Sequence, residues 1–276
     1  MVRRARMRGH GIAAACGVAA ALVLAGCAGA PSDTVEPRPE FPAGAPFDYQ
    51  LGGGYAPPDG VEVVVRDRTD VPEPGAYSIC YVNAFQTQPG EQDDWPAELL
   101  LHDSDGAPVT DPDWPDEVLL DLSTPERRDA IADVLGDWTA DCAADGFAAV
   151  EFDNLDSFTR SGDAFTVDDA TALAAVLVAD AHAHGLAVGQ KNAAEFAERL
   201  RDDAGFDFAV SEECAAYAEC EAYTDAYGDA VLNIEYVDNL PRPFVEACAD
   251  APARTILRDR DLVTPGDDGY RYDACG

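Results

Sequence analysis

Short apolar runs alternate with longer amphipathic stretches along most of this chain. Eight runs are largely apolar, as in strands whose two faces are both buried. The predicted strands are 61–66, 77–82, 117–121, 147–152, 186–190, 206–210, 230–235 and 253–257. Segments with helical character separate most of these runs, and this alternation indicates a parallel α/β fold.

The clearest helix is predicted over 124–144. Ser123 and Glu126 form a capping-box pattern, Pro125 falls in the first turn, and Gly146 follows the last turn. Further helices are predicted over 168–184, 193–203, 215–227 and 241–249. Eight strands in roughly 200 residues fit a closed (β/α)8 TIM barrel better than an open doubly wound sheet, which is the alternative.

The first 45 residues differ from the rest. Arginines precede an apolar stretch at 11–23, and Leu24-Ala25-Gly26-Cys27 follows it. This order is typical of a bacterial lipoprotein signal peptide, so we expect 1–26 to be removed and Cys27 to carry lipid. An ordinary signal peptide that contains a cysteine is the alternative. Residues 27–45 are rich in proline and polar residues and are predicted to form a flexible tether.

The barrel is then expected over 46–276, in a protein exported to the cell surface and held at the membrane by its lipid. The formal net charge of −35 argues against a nucleic-acid partner, because phosphate would be repelled. A cationic or neutral partner is favoured, although an acidic surface can also serve solubility alone. The sequence carries no signal for an oligomer, and we expect a monomer.

Six cysteines remain once Cys16 and Cys27 are set aside, which suggests up to three disulfides in an exported protein. The chain contains no Cys-x2-Cys pair, which argues against a zinc site. No Gly-x-Gly-x-x-Gly follows a predicted strand, so a dinucleotide site has no support. We therefore expect neither a metal nor a cofactor.

Polar side chains concentrate where the predicted strands end, which in a parallel barrel is the face that carries function. The candidate residues are Asp67, Tyr81, Glu151, Asp153, Asn154, Asp156, Lys191, Asn192, Glu212, Glu235 and Tyr236. Glycoside hydrolysis uses a pair of carboxyl groups, and neighbouring carboxylates raise each other's pKa. Because motifs of serine esterases and zinc proteases are missing, the rim favours a glycosidase.

Several motifs carry a resemblance to a known family. They are Phe47–Leu51, Ile79–Val82, Trp114–Glu117, Val150–Asp156, Gly189–Asn192 and Ala209–Cys214 with Tyr217 and Glu219-Cys220. Together they resemble the endo-α-1,4-polygalactosaminidase family of glycoside hydrolases (family 114), a secreted (β/α)8 group. The resemblance implies hydrolysis of α-1,4-linked galactosamine polymers by Asp153 and Glu212, and a Cys214–Cys220 disulfide. Ser211, Glu213 and Ala148-Ala149 depart from the family's usual Asn, Gln and Asp-Gly.

In this interpretation Asp153 is the nucleophile and Glu212 the acid/base, with the reverse roles open. The other rim residues would bind sugar, although Lys191 can instead pair with a neighbouring carboxylate, and Tyr81 and Tyr236 can serve packing. Two other functions stay open. One is a non-catalytic surface lipoprotein that binds a cationic glycan, and the other is a glycosidase for another α-linked glycan.

Overall fold

A computed structural model describes residues 38–252 and 254–276. The predicted signal peptide, Cys27 and the tether up to residue 37 lie outside the described residues. Within the described ranges, no helix is long and apolar enough to cross a membrane.

One sheet of nine strands, counted among the described residues, follows sequence order from β1 to β9. The strands are β1 Phe47–Gln50, β2 Val63–Asp67, β3 Tyr77–Asn83, β4 Ala149–Asp153, β5 Ala187–Lys191, β6 Phe208–Glu212, β7 Val231–Tyr236, β8 Thr255–Arg258 and β9 Tyr272–Ala274. Strands β1 to β8 are parallel, and β9 runs antiparallel to β8.

Contacts between distant strands show that this sheet curls into a barrel. The Tyr49 hydroxyl on β1 donates to Glu151 on β4 at 2.8 Å and accepts from Lys191 on β5 at 3.3 Å. Side chains also bridge β8 and β1, since Arg258 Nη1 lies 3.2 Å from Asp48 Oδ1. One apolar cluster fills the barrel and another lies between the sheet and the helices. The predicted (β/α)8 fold class is confirmed.

The helices follow β3 to β7 and cover the outside of the barrel. They are α1 Pro125–Asp145, α2 Val167–Ala183, α3 Ala197–Arg199, α4 Cys214–Tyr217, α5 Cys220–Tyr227 and α6 Phe244–Ala247. Short 3-10 turns span Gln92–Asp94, Ala97–Leu99, Leu155–Thr159 and Ala194–Phe196, and a π turn spans Leu200–Ala204. The connections 51–62 and 68–76, both fully described, contain no helix.

The first helix begins as predicted but is capped differently. Thr124, in an extended conformation, accepts from the Arg127 backbone N–H at 3.3 Å, so it and not Ser123 is the N-cap. A full capping box occurs instead at α2, between Thr166 and Asp169.

The predicted strand over 117–121 is wrong. Val118, Leu119 and Leu120 are buried, but each makes only an isolated antiparallel bridge inside the long β3–α1 connection, residues 84–124. A short apolar run indicates burial but does not identify the surface against which it packs. This run packs in the apolar cluster between the sheet and the helices. The first barrel strand is β1, whose four residues alternate aromatic and polar side chains.

The end of the predicted tether packs against the N-terminal end of the barrel. Phe41 stacks on Phe208 of β6, with ring centroids 4.2 Å apart. Gly189 on β5 makes room for the Phe208 ring, because a Cβ there would lie 2.5 Å from it. Residues 41–45 thus belong to the folded body, because the Phe41 ring packs against the barrel and anchors this proline-containing segment.

All six cysteines in the described residues form disulfides. Cys80 on β3 is joined to Cys142 on α1, Cys214 to Cys220, and Cys248 to Cys275. The Cys214–Cys220 pair is the one that the family resemblance implies. The other two disulfides settle how Cys80, Cys142, Cys248 and Cys275 pair, which the sequence left open.

Candidate active site

A cleft of about 470 Å³ opens at the C-terminal ends of the barrel strands. Nine of the eleven predicted rim residues line it, namely Asp67, Tyr81, Asp153, Asn154, Asp156, Lys191, Asn192, Glu212 and Tyr236. Two do not line it: Glu151 is buried beneath the floor, and Glu235 faces outward. The structure therefore gathers most of the predicted rim into one concave site.

The buried ammonium of Lys191 lies at the centre of the cleft floor. Its Nζ is 3.0 Å from Asp153 Oδ2, 3.2 Å from Glu212 Oε2 and 3.6 Å from Glu151 Oε1. Burial alone would lower the pKa of Lys191, but these carboxylates outweigh it and hold the pKa well above the ordinary value. Lys191 is therefore the charged counterion of the site.

Asp153, the last residue of β4, is fixed by three donors. The Tyr81 hydroxyl donates to Oδ2 at 2.8 Å, in addition to Lys191. The backbone N–H of Asn154 donates to Oδ1 at 2.7 Å. Burial raises the pKa of Tyr81 well above its usual value, so the phenol stays protonated and remains a donor.

Glu212, the last residue of β6, is held in the same way from the opposite side. Asn192 Nδ2 donates to Oε2 at 3.0 Å, and the Tyr236 hydroxyl donates to Oε1. Burial alone would raise the pKa of Glu212, but Lys191 and these hydrogen bonds outweigh it and lower the pKa. Glu212 is therefore ionised at neutral pH.

Glu151 forms a second layer beneath the pair. Its Oε1 accepts from the Tyr49 hydroxyl, and its Oε2 has no hydrogen-bond partner among the described residues. Burial raises the pKa of Glu151 to about 7, and the nearby Lys191 lowers it only in part. Glu151 thus supports Lys191 from below and does not face the cleft.

Glu235 is a predicted rim residue whose side chain does not reach the cleft. Ile234 and Tyr236 on the same strand face the barrel interior, so the intervening side chain points outward. Glu235 is fully buried there, where its Oε1 accepts from the Ala215 backbone N–H and from Asn233. The pleat of β7 therefore removes Glu235 from the cleft.

Three strands share a sharp turn directly after their functional residue. Asn154, Asn192 and Glu213 have φ values of 64°, 51° and 60°, in the left-handed region that residues other than glycine rarely adopt. Asparagine tolerates this conformation, whereas glutamate stores strain. The turns follow Asp153, Lys191 and Glu212 and keep these side chains at the strand ends.

Arginines neutralise the carboxylates on the flanks. Arg160 lies 2.7 Å from Asp111 and 3.0 Å from Asp156, and Arg260 lies 2.8 Å from Glu213. Asp67 instead accepts from Thr69 and Gln88. These flanking pairs leave the central pair in contact with Lys191 alone among the lining cations.

Sequence reasoning missed several residues that shape the cleft. They are Tyr49, Trp114, Glu117, Arg160 and Arg260. Trp114 and Glu117 were available in the sequence as part of a family-like motif, and Tyr49 as part of another. Arg160 and Arg260 carry no local signal, because they reach the cleft from loops.

The cleft continues beyond the centre in two directions. A neighbouring cavity of about 390 Å³ shares Asp156, Asn192 and Glu212 with it. On the other side a cavity of about 380 Å³ shares Asp67 and Gln88. The result is a groove whose central pair lies between two arms.

The geometry suits cleavage of a bond held across the central pair. Because both carboxylates contact one Nζ, Asp153 Oδ2 and Glu212 Oε2 lie no more than about 6 Å apart, a spacing compatible with glycosidase carboxyl pairs. A groove with two arms can bind sugars on both sides of the bond.

Comparison with known proteins places this geometry in a family. The profile of glycoside-hydrolase family GH114 matches residues 28–276. No curated protein sequence matches the chain significantly.

Several solved structures share the fold, and two of them are glycoside hydrolases of particular interest. Ega3 from Aspergillus fumigatus, in complex with galactosamine, is 22% identical with a TM-score of 0.68, over 85% of this chain and 97% of Ega3. The glycoside hydrolase domain of PelA from Pseudomonas aeruginosa is 15% identical with a TM-score of 0.54, over 80% of this chain and 97% of that domain. Because the family match covers every strand and helix of the barrel, the chain is a glycoside hydrolase that belongs to family GH114.

Proposed function

We propose that this glycoside hydrolase cleaves α-1,4-linked galactosamine polysaccharide at internal bonds, with Asp153 and Glu212 as its catalytic carboxyls. The observation that carries the proposal is the contact of both carboxylates with the single Lys191 ammonium, midway along a groove. The similarity to a structure solved with galactosamine supports the choice of sugar.

We assign Asp153 as the nucleophile and Glu212 as the acid/base. Asp153 is the less exposed of the two, with 14% of its side chain accessible against 27% for Glu212. An acid/base must exchange protons with water and the leaving group, which favours the more exposed carboxyl.

In the first step Asp153 attacks the anomeric carbon, the glycosidic C–O bond breaks, and Glu212 protonates the departing oxygen. In the second step Glu212 takes a proton from water, which attacks the same carbon and releases Asp153. Glu212 is ionised before a substrate binds and needs a proton before the first step. Exclusion of water by a bound sugar raises its pKa in the required direction.

A cationic substrate suits the charge of the groove. The arm beyond Glu212 is lined by no lysine or arginine among the described residues. Asp156 and Glu213 there are paired with arginines, but Asp113, Glu195 and Glu219 form no ion pair with any described residue. Free amino groups of galactosamine would find favourable charge along this arm. Trp114 and Tyr217 are half-exposed or more at the cleft and at this arm, and offer apolar faces to sugar rings.

We also propose that the enzyme works at the outer cell surface as a monomer anchored by lipid on Cys27. The support is the order of basic, apolar and small residues before Cys27. Mass spectrometry of the mature N-terminus tests it: an N-acyl diacylglyceryl cysteine is expected. An unlipidated N-terminus elsewhere would contradict the anchor.

Release of reducing ends from de-N-acetylated galactosaminan tests the activity. We expect wild type to release them, and Asp153→Asn and Glu212→Gln to lose about 100-fold or more of the rate. Glu221→Gln, an exposed position on α5, is the matched control and should keep full activity. Binding without release would favour a glycan-binding lipoprotein. Release only from other α-linked glycans would favour a different glycosidase.

A further inference from the structure

One buried carboxylate in the cleft has no counterion among the residues that the structure describes. Of the residues that the structure describes, Asp111 and Glu117 are the carboxylates that both line the central cleft and lie more than nine-tenths buried. Asp111 pairs with Arg160 at 2.7 Å. Glu117 forms no ion pair with any described lysine, arginine or histidine, although it is only 8% exposed.

Two asparagines fix one oxygen of Glu117 and leave the other open. Asn83 Nδ2 donates to Oε2 at 2.9 Å, and Asn154 Nδ2 lies 3.5 Å from the same oxygen. Asn154 also donates to Asn83 Oδ1 at 3.0 Å, which locks the two amides together. Oε1 receives no hydrogen bond from any described residue. It is accessible to solvent, so it faces the cleft that Glu117 lines.

The position of Glu117 ties it to the reacting sugar. Asn83 is the β-sheet partner of Asp153, and Asn154 directly follows Asp153 in the chain. Glu117 is therefore anchored through both neighbours of the proposed nucleophile. A group held at Oε1 belongs to the sugar under attack or to the one beside it.

The burial of Glu117 without a counterion among the described residues favours a cationic ligand. Burial raises its pKa to about 7, the Asn83 hydrogen bond lowers it in part, and nearby Asp153 raises it. A buried carboxyl with a free oxygen gains most from a partner that brings positive charge and N–H donors. A primary ammonium supplies both, whereas an acetamide supplies one neutral N–H and a larger volume.

We propose that Glu117 Oε1 binds the primary ammonium of an amino sugar and makes the cleft selective for de-N-acetylated residues at this position. The inference rests on the proposed function, because it concerns the substrate of the same groove. Glu117 is then a specificity residue, distinct from the pair that forms and breaks bonds.

Glu117→Gln keeps the shape and the oxygen that Asn83 binds, and removes the charge. With fully de-N-acetylated galactosamine oligosaccharides we expect KM to rise about 10- to 100-fold, the worth of a hydrogen bond to a charged group, with kcat within a few-fold of wild type. With N-acetylated oligosaccharides of the same length, KM should stay unchanged. Glu117→Asp keeps a carboxylate and should restore part of the preference.

Asp116→Asn is the matched control, because it removes one negative charge from the adjacent, exposed position outside the central cleft. It should change neither KM. A collapse of kcat on both substrates in Glu117→Gln would overturn the proposal and make Glu117 a proton donor. An unchanged preference for free amines in that variant would also overturn it, while leaving wild-type hydrolysis and the proposed function intact.

Calorimetric binding of a galactosamine oligosaccharide separates the two proposals when no hydrolysis occurs. Wild type should bind it at least tenfold more tightly than Glu117→Gln, and both should bind the N-acetylated oligosaccharide equally. Equal binding of the amine form by both proteins would refute the role of Glu117 whether or not the chain is catalytic.

Discussion

Glu151→Gln should change how the stability of this enzyme depends on pH. Glu151 is fully buried, and burial raises its pKa from the reference 4.5 to about 7. A carboxyl whose pKa is higher in the folded state binds more protons when folded, so wild type loses stability as pH rises from about 4.5 to about 7. Glutamine keeps the size and the acceptor for Tyr49 but does not titrate.

The size of the effect follows from the shift. Moving from 4.5 to about 7 corresponds to about 3 kcal/mol, at about 1.4 kcal/mol for each pKa unit. The variant should therefore gain about 3 kcal/mol relative to wild type between pH 4 and pH 8.

Urea unfolding with disulfides intact, monitored at pH 4 and at pH 8, measures the difference in the free energy of unfolding. Glu221→Gln, at an exposed site, is the control and should show no comparable dependence on pH. A difference between wild type and Glu151→Gln that is equal at both pH values would refute the reasoning, because it would mean that Glu151 has the same pKa in the folded and unfolded states.

Three further predictions follow from the same site and fold. Lys191→Met should move the alkaline limb of the pH–rate profile upward by about 1–3 pH units, because the ammonium lowers the pKa of Glu212, the proposed acid, and its loss raises that pKa. Added salt should raise KM for the galactosamine polymer, since it screens the exposed carboxylates of the groove, but should not for a neutral glycan. Replacing Cys248 and Cys275 by serine should cost about 2–4 kcal/mol in urea unfolding without changing KM, because the bridge lies off the cleft.

The barrel and most of its rim could be predicted from the sequence. Seven of the eight predicted runs overlap parallel strands of the barrel, because a strand buried on both faces is largely apolar. Asp153, Lys191 and Glu212 follow from position, since the carboxyl ends of parallel strands meet at one face.

The errors have physical causes as well. Strand β1 is short and half polar, because Asp48 and Gln50 point to the buried polar network at the β8–β1 seam and only Phe47 and Tyr49 enter the barrel. Glu235 could not be separated from Glu151 or Glu212 without knowing the pleat, and a shift of one residue reverses which face a side chain occupies. Glu117 lies far from any strand end and reaches the cleft through folding of a long connection.

The two halves of this site differ in how freely they can change. Asp153, Lys191 and Glu212 end strands whose backbones are paired on both sides. Glu117 belongs to residues 84–124, whose flanks are joined covalently where Cys80 meets Cys142. Substitutions in this connection can therefore alter which sugars are accepted, while the Cys80–Cys142 disulfide preserves the barrel framework that carries the catalytic residues.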